Sequence, residues 1–149
     1  MQSNELLPLI TDQETSKKKM ICYVMKWAQK RPGIGQFLPE DIDVDLCTHV
    51  VFGLAKLDPE RLTIQSPRGI RRKDLVSKIT DIKSRNGLKI LLGLGGWDES
   101  KDNKYSELAH NSVERRKFAR HASLYVQNYG FDGLDFLWEY PVCSQVTQK

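Results

Sequence analysis

The chain has 149 residues and a net charge of +4 at pH 7; 40% of its residues are hydrophobic and 28% charged. Such a chain is one ordinary domain with material for one core. Wholesale disorder does not fit it, and neither does a membrane span, because no window approaches ~18 consecutive apolar residues. Its mild basicity does not call for nucleic acid. Its three cysteines lack C-x-x-C spacing and fit neither a disulfide-dense miniprotein nor a zinc site.

Residues 1–19 are polar and end in Lys17-Lys18-Lys19, and their apolar stretch Leu6-Leu7-Pro8-Leu9-Ile10 is interrupted by proline. A secretory signal needs a basic start and an apolar run of ~7–15 residues, so this stretch reads as a disordered leader or linker. Four short apolar runs bounded by turn residues follow, at 20–25, 49–54, 89–94 and 133–138. That is the pattern of strands covered on both faces. Between the first two, Pro32-Gly33-Ile34-Gly35 and Pro39 predict a loop. The spacing of Leu75, Ile79 and Ile82 predicts a helix over 73–85, stopped by Gly87. Asn111 with Glu114 predicts a capped start for a second helix, which puts Phe118, Ala122, Tyr125 and Tyr129 on one face and stops at Gly130. The order β-loop-β-α-β-α-β argues for a parallel α/β sheet. Residues 142–149 form a polar tail.

The last strand carries the chemistry. Side chains alternate along a strand, so Asp135, Leu137 and Glu139 share one face, while Leu134, Phe136 and Trp138 share the other, as core would. Acids at the C-terminal end of a parallel strand stand where α/β folds place their sites.

Here the chain resembles glycoside hydrolase family 18, the chitinases and chitinase-like lectins. The family signature D-G-x-D-x-D-x-E, followed by Tyr-Pro, is matched by Asp132, Gly133, Asp135, Glu139, Tyr140 and Pro141. Its S-x-G-G block reads Gly93-Leu94-Gly95-Gly96-Trp97 here, with the glycines kept and the serine gone. Cys22-Tyr23-Val24-Met25-Lys26-Trp27-Ala28-Gln29 is similar to the family's opening strand, and Leu46-Cys47-Thr48-His49 to the run before its second. Asn103-Lys104-Tyr105-Ser106 and Pro141-Val142-Cys143 are similar to arthropod members in particular. The resemblance runs from Ile21 to Cys143 in four separated blocks in the family's order.

The resemblance implies the first four strands of a TIM (β/α)₈ barrel, spanning 20–141; a complete barrel needs ~200 residues or more. It implies that Glu139 is the general acid toward β-1,4-linked N-acetylglucosamine polymers, with the substrate's own acetamido oxygen as nucleophile. The family's Asp two residues before that Glu orients the acetamide, and here it is Leu137. Asp135, ~13 Å from Glu139 along the strand, does not replace it. Hydrolysis is therefore expected to be weakened or lost. A non-catalytic chitin-binding lectin and a non-functional fragment remain the alternatives.

Tyr23, Trp27 and Trp97 match family aromatics that line the sugar cleft, with core packing as the other reading of Tyr23 and Trp97. Gly95 and Gly96 either admit a sugar close to the backbone or form an ordinary tight turn, and Trp138 packs inward. Cys22 and Cys47 match a family disulfide, or stay free thiols in a reducing compartment; Cys143 is left without a partner. The family is mostly secreted, so an extracellular place is expected despite the absent signal. A half barrel has two open edges, hence self-association. His49, His110 and His121 have no metal spacing. Residues 56–89 hold ten Lys/Arg against four acids, which a solvated basic face explains. No phosphate loop is present. The expected partner is thus chitin, with no cofactor, nucleic acid or membrane.

Overall fold

The structure, a computed structural model, describes residues 18–65, 78–84 and 87–141. The expected leader up to residue 17, the tail 142–149 with Cys143, and residues 73–77 and 85 of the expected first helix lie outside the described residues. Among the described residues there are five strands: β1 (Ile21–Met25), β2 (His49–Asp58), β3 (Thr63–Gln65), β4 (Lys89–Gly95) and β5 (Gly133–Leu137). β1, β2, β4 and β5 run parallel and side by side in that order, while β3 folds back antiparallel on the end of β2. Two α-helices, α1 (Lys104–His110) and α2 (Ser112–Asn128), fill the crossover between β4 and β5. A parallel wall of consecutive strands with its helices on one side is part of a TIM barrel, as the sequence predicts.

The wall curls. Neighbouring strands stand about 4.8 Å apart, so β1 and β5, three steps from each other, would be about 14 Å apart in a flat sheet. Yet the Tyr23 hydroxyl of β1 donates to Asp135 Oδ2 of β5 at 3.0 Å. The face carrying these two side chains is therefore concave, the inside of the barrel. The same parity puts Val51, Gly93 and Leu137 on it.

The convex face holds the core. Val50, Phe52, Ile90, Leu92 and Leu94 are all completely buried there, in one cluster with Ile79, Ile82, Leu108, Phe118 and Ala122 from the helical segments. The expectation that both faces are covered is corrected on the concave side. Ile21 and Tyr23 are half-exposed there, and Asp135 and Leu137 half-buried. Four parallel strands of a barrel wall cannot close a barrel interior by themselves.

Asn111 caps α2 as its sequence predicts: its Oδ1 accepts from the amides of Val113 and Glu114 at 3.0 and 3.2 Å. The described part of the first expected helix is a short helical turn, 78–81, running into a 3-10 turn at Ile82–Ser84. One placement on β5 needs correcting. Phe136 is 43% exposed rather than core. It meets Tyr105 of α1 edge-on at 5.1 Å, and with Leu108, Phe118 and Trp138 it lines an apolar groove of about 340 Å³. The outer face of a parallel strand needs a helix on each side, and among the described residues only α1 and α2 lie beside β5.

Cys22 and Cys47 are joined in a disulfide with Cα atoms 5.9 Å apart. It fastens β1, which has a single neighbour among the described strands, to the approach of β2. Thr48 works beside it: its amide and its Oγ1 both donate to the Met20 carbonyl, at 2.9 and 3.0 Å. The bond closes a 25-residue separation. Cys22→Ser/Cys47→Ser is therefore expected to lower the unfolding free energy by about 3 kcal/mol, read as a fall in the urea midpoint.

Candidate functional site

Parallel strands bring their C-terminal ends to one rim, and the chain continues from each into a short segment. β1 runs into the 3-10 turn Lys26–Lys30 with Trp27, β4 into Gly96 and the 3-10 turn Trp97–Ser100, and β5 into Trp138 and Glu139. Trp27 and Trp97 are 58% and 53% exposed, so neither ring is core. Arg31 lies 4.4 Å from the Trp27 ring centre and covers one of its faces. Lys26, Lys30, Gly53 and Leu54 line a 240 Å³ cavity with Trp27. Partial burial and then the nearby Lys30 charge hold the Lys26 ammonium pKa below its usual range.

Tyr23 is half-exposed and serves Asp135 rather than the core. Burial first, and then its hydrogen bond to that carboxylate, raise the Tyr23 phenol above its ordinary pKa. It stays protonated, and so remains a donor, across the physiological range.

Leu137 lies two residues from Asp135 on the concave face. Its Cδ1 would stand 3.5 Å from a Cβ placed on Gly93, and such a Cβ would also stand 3.0 Å from Val51 Cγ1 and 2.7 Å from Leu54 Cδ2. The space above β4 where the family carries a serine is thus filled by three apolar side chains. Leu54 also overhangs Gly96, where a Cβ would meet its Cδ1 at 2.5 Å. The β2–β4 register shifts in the same stretch, between Phe52 and Ala55. Nothing in the sequence reading singled out Leu54; an apolar residue inside an apolar run carries no signal.

Gly95 and Gly96 have φ of 111° and 91°, a region that side-chain-bearing residues rarely enter. The Gly96 amide donates to the Leu137 carbonyl at 2.8 Å, and a Cβ on Gly95 would press into that carbonyl. The approach of β5 to β4 crowds Gly95, whereas at Gly96 the crowding group is Leu54 of β2.

Glu139 is half-buried just beyond the end of β5, and its peptide to Tyr140 is cis. Its amide donates to Ser100 Oγ at 2.9 Å. Trp138 turns the other way and packs on Tyr105, with ring centres 6.2 Å apart, as parity predicts. Asp132, the first acid of the signature, stands at the opposite rim. Its Oδ2 accepts from the Ile90 amide at 2.8 Å, and Lys83 and Lys89 reach its Oδ1 at 3.1 and 3.5 Å. Burial acts to raise its pKa, but the Ile90 amide and the two lysines outweigh it and hold the carboxyl below the usual range. Asp132 is a clamp between the starts of β4 and β5.

The three histidines each have a hydrogen-bond partner: His49 meets Thr48 Oγ1 at 2.9 Å, His110 the Ser106 carbonyl and His121 the Leu62 carbonyl, both at 2.8 Å. Among the described residues no three His, Cys, Asp or Glu side chains group as metal ligands do, and no helix is long and apolar enough to cross a membrane.

The family model for glycosyl hydrolases family 18 matches residues 19–148. Probable chitinase 10 of Drosophila melanogaster is 44% identical over 132 residues, covering 87% of this chain and 6% of the relative. Catalytic domain 2 of the Ostrinia furnacalis Group II chitinase, solved as a mutant in complex with (NAG)5, matches at 47% identity and a TM-score of 0.79, over 86% of this chain and 34% of that one. Human YKL-39, described as a pseudo-chitinase with retained chitooligosaccharide binding, matches at 32% identity and a TM-score of 0.71, over 83% and 33%. The chain thus spans about a third of these solved chains.

Proposed function

The chain belongs to glycosyl hydrolase family 18, and from that premise we propose that it binds chitooligosaccharides at the rim bearing Trp27, Trp97 and Glu139, with hydrolysis weakened or lost. The observation that carries this reading is Leu137. It occupies the concave face in line with Asp135, and with Val51 and Leu54 it borders the space above Gly93. A leucine neither hydrogen-bonds an acetamide nor passes a proton, so residue 137 supplies no second carboxyl of the kind that orients an acetamide. Binding makes smaller demands. Exposed indoles offer flat apolar faces to sugar rings, and Asp135 and Tyr23 offer fixed polar groups. Two of the similar solved structures support the reading, the more similar one a chitinase domain solved with (NAG)5 and the less similar one described as a pseudo-chitinase that keeps chitooligosaccharide binding.

Retention on chitin beads tests it. Trp97→Ala is expected to weaken retention about ten-fold, and Glu139→Gln to leave it near wild type. Failure of the unmodified chain to be retained rejects the binding reading; equal retention of Trp97→Ala rejects the ring as a sugar platform.

The disulfide supports an extracellular place for the protein, since such bonds persist in oxidising compartments. Self-association belongs to the same reading. Among the described residues β1 and β5 each have one unpaired edge, and β5 of one copy set against β1 of another would extend the parallel wall and cover the half-exposed concave face. Sedimentation of the purified chain is expected to give a dimer. A monomer at high micromolar concentration rejects this pairing.

A further inference from the structure

The turn Trp97–Ser100 is held from three directions. Glu99, 7% exposed, receives Lys56 of β2 on Oε1 at 2.7 Å and Lys104 of α1 on Oε2 at 2.8 Å. Ser100, 6% exposed, donates its hydroxyl to the Gly96 carbonyl at 3.0 Å and accepts the Glu139 amide at 2.9 Å. The ladder between β4 and β5 ends at the pair Gly95 and Leu137. Glu139 lies two residues past that point, where sheet geometry no longer dictates its backbone.

We propose that Ser100 is the positioning residue of Glu139: its buried hydroxyl extends the β4–β5 contact beyond the ladder and ties the peptide of the candidate acid to the turn that presents Trp97. The two ion pairs on Glu99 fix the turn, the turn fixes the hydroxyl, and the hydroxyl fixes the Glu139 amide. A sugar stacked on Trp97 and the carboxylate of Glu139 would then be set relative to each other by one small rigid unit, although the two residues are 42 apart in the chain. Serine suits this place because one small hydroxyl both donates and accepts. The sequence gives no hint of it, since Ser100 sits among Asp98, Glu99 and Lys101 like any surface turn residue. The assignment rests on the proposed binding site for its functional meaning, but its geometry is testable apart from that.

Amide hydrogen exchange of the full chain reads the bond directly. In the unmodified protein the Glu139 amide is expected to be protected. Ser100→Ala is expected to speed its exchange roughly 2–12-fold, the range a single hydrogen bond supports, with amides inside β5 unchanged. Ser100→Thr, which keeps the hydroxyl, is expected to restore protection. The same Ala variant is expected to weaken chitopentaose binding, followed through intrinsic tryptophan fluorescence, by a similar factor. An unprotected Glu139 amide in the unmodified protein overturns the proposal even if Ser100→Ala fails to fold. So does an Ala variant in which exchange is unchanged at Glu139 or rises equally throughout β5. Absence of any chitopentaose response in the unmodified chain rejects the binding reading instead, and leaves Ser100 judged by exchange alone.

Discussion

Gly95→Ala is expected to be the most destabilising single-methyl change in the described part of the chain. The added carbon would enter the carbonyl of Leu137, approaching its carbon to 3.0 Å, with the Tyr105 hydroxyl at 3.2 Å on the other side. Tyr105 is 1% exposed and packed against Phe136 and Trp138, so it cannot swing away freely. The neighbour that must give is backbone, and its movement would also break the Gly96 amide bond to Leu137. Left-handed backbone at φ 111° adds strain for any residue with a side chain. Strain of about 1–3 kcal/mol and overpacking of about 1–3 kcal/mol together approach the whole stability of a small domain. A urea or thermal melt should show a loss of about 3–5 kcal/mol or no cooperative transition. Gly33→Ala is the matching control. Its φ is also positive, at 57°, but nothing lies within 4 Å of an added Cβ, so strain acts there without the clash. A Gly95→Ala protein as stable as Gly33→Ala would show that β5 does not press on β4 at this point.

How much of this was legible in the sequence follows from what kind of force decided each element. The four parallel strands were readable because burial decides them, and their apolar runs match the observed strands to within a residue except at the end of β2. That end was missed because Lys56 and Asp58 break the run; the hairpin there is made by Asp58, whose Oδ1 accepts from the amides of Glu60 and Arg61 at 3.1 and 3.0 Å. The Asp58-Pro59 dipeptide was the available signal. Helix α1 was missed because seven residues give barely two turns of periodicity, with Tyr105 and Leu108 alone buried on it. At the rim, parity placed Asp135 and Leu137 together and Trp138 on the opposite face, since alternation is local. What parity could not supply was anything set by contacts distant in sequence: the Tyr23–Asp135 bond, the reach of Leu54 over Gly93 and Gly96, and the hydroxyl of Ser100 under Glu139. Phe136 shows the same limit from the other side. Its parity is right, yet its burial depends on what covers the outer face of β5, which no local pattern encodes.

Leu137→Asp is expected to raise hydrolysis of a fluorogenic chitobioside about 10²–10⁴-fold over the unmodified chain, the span that a positioned proton-transfer group usually contributes. The reasoning is geometric. Residue 137 stands one step, ~6–7 Å, along the strand from both Asp135 and the position of Glu139, so a carboxyl there can meet either neighbour at its tip. Asp135 is already held by Tyr23 at 3.0 Å, which gives a new acid a fixed partner with which to share a proton. The site tolerates the change, because Leu137 is only half-buried and its loss frees space beside Gly93. The accompanying fall in stability should be about 1–2 kcal/mol, the apolar area of a half-buried leucine. Leu137→Asn separates shape from chemistry: it places a polar group of the same size but without an exchangeable acid proton, and is expected to stay at the unmodified rate. Adding Glu139→Gln to Leu137→Asp should return the rate to that level too, if Glu139 is the acid. Equal rates for the Asp and Asn variants, with chitin-bead retention intact, would mean that the missing carboxyl is not what limits this chain. The deficit would then lie in groups that the rest of a barrel wall supplies.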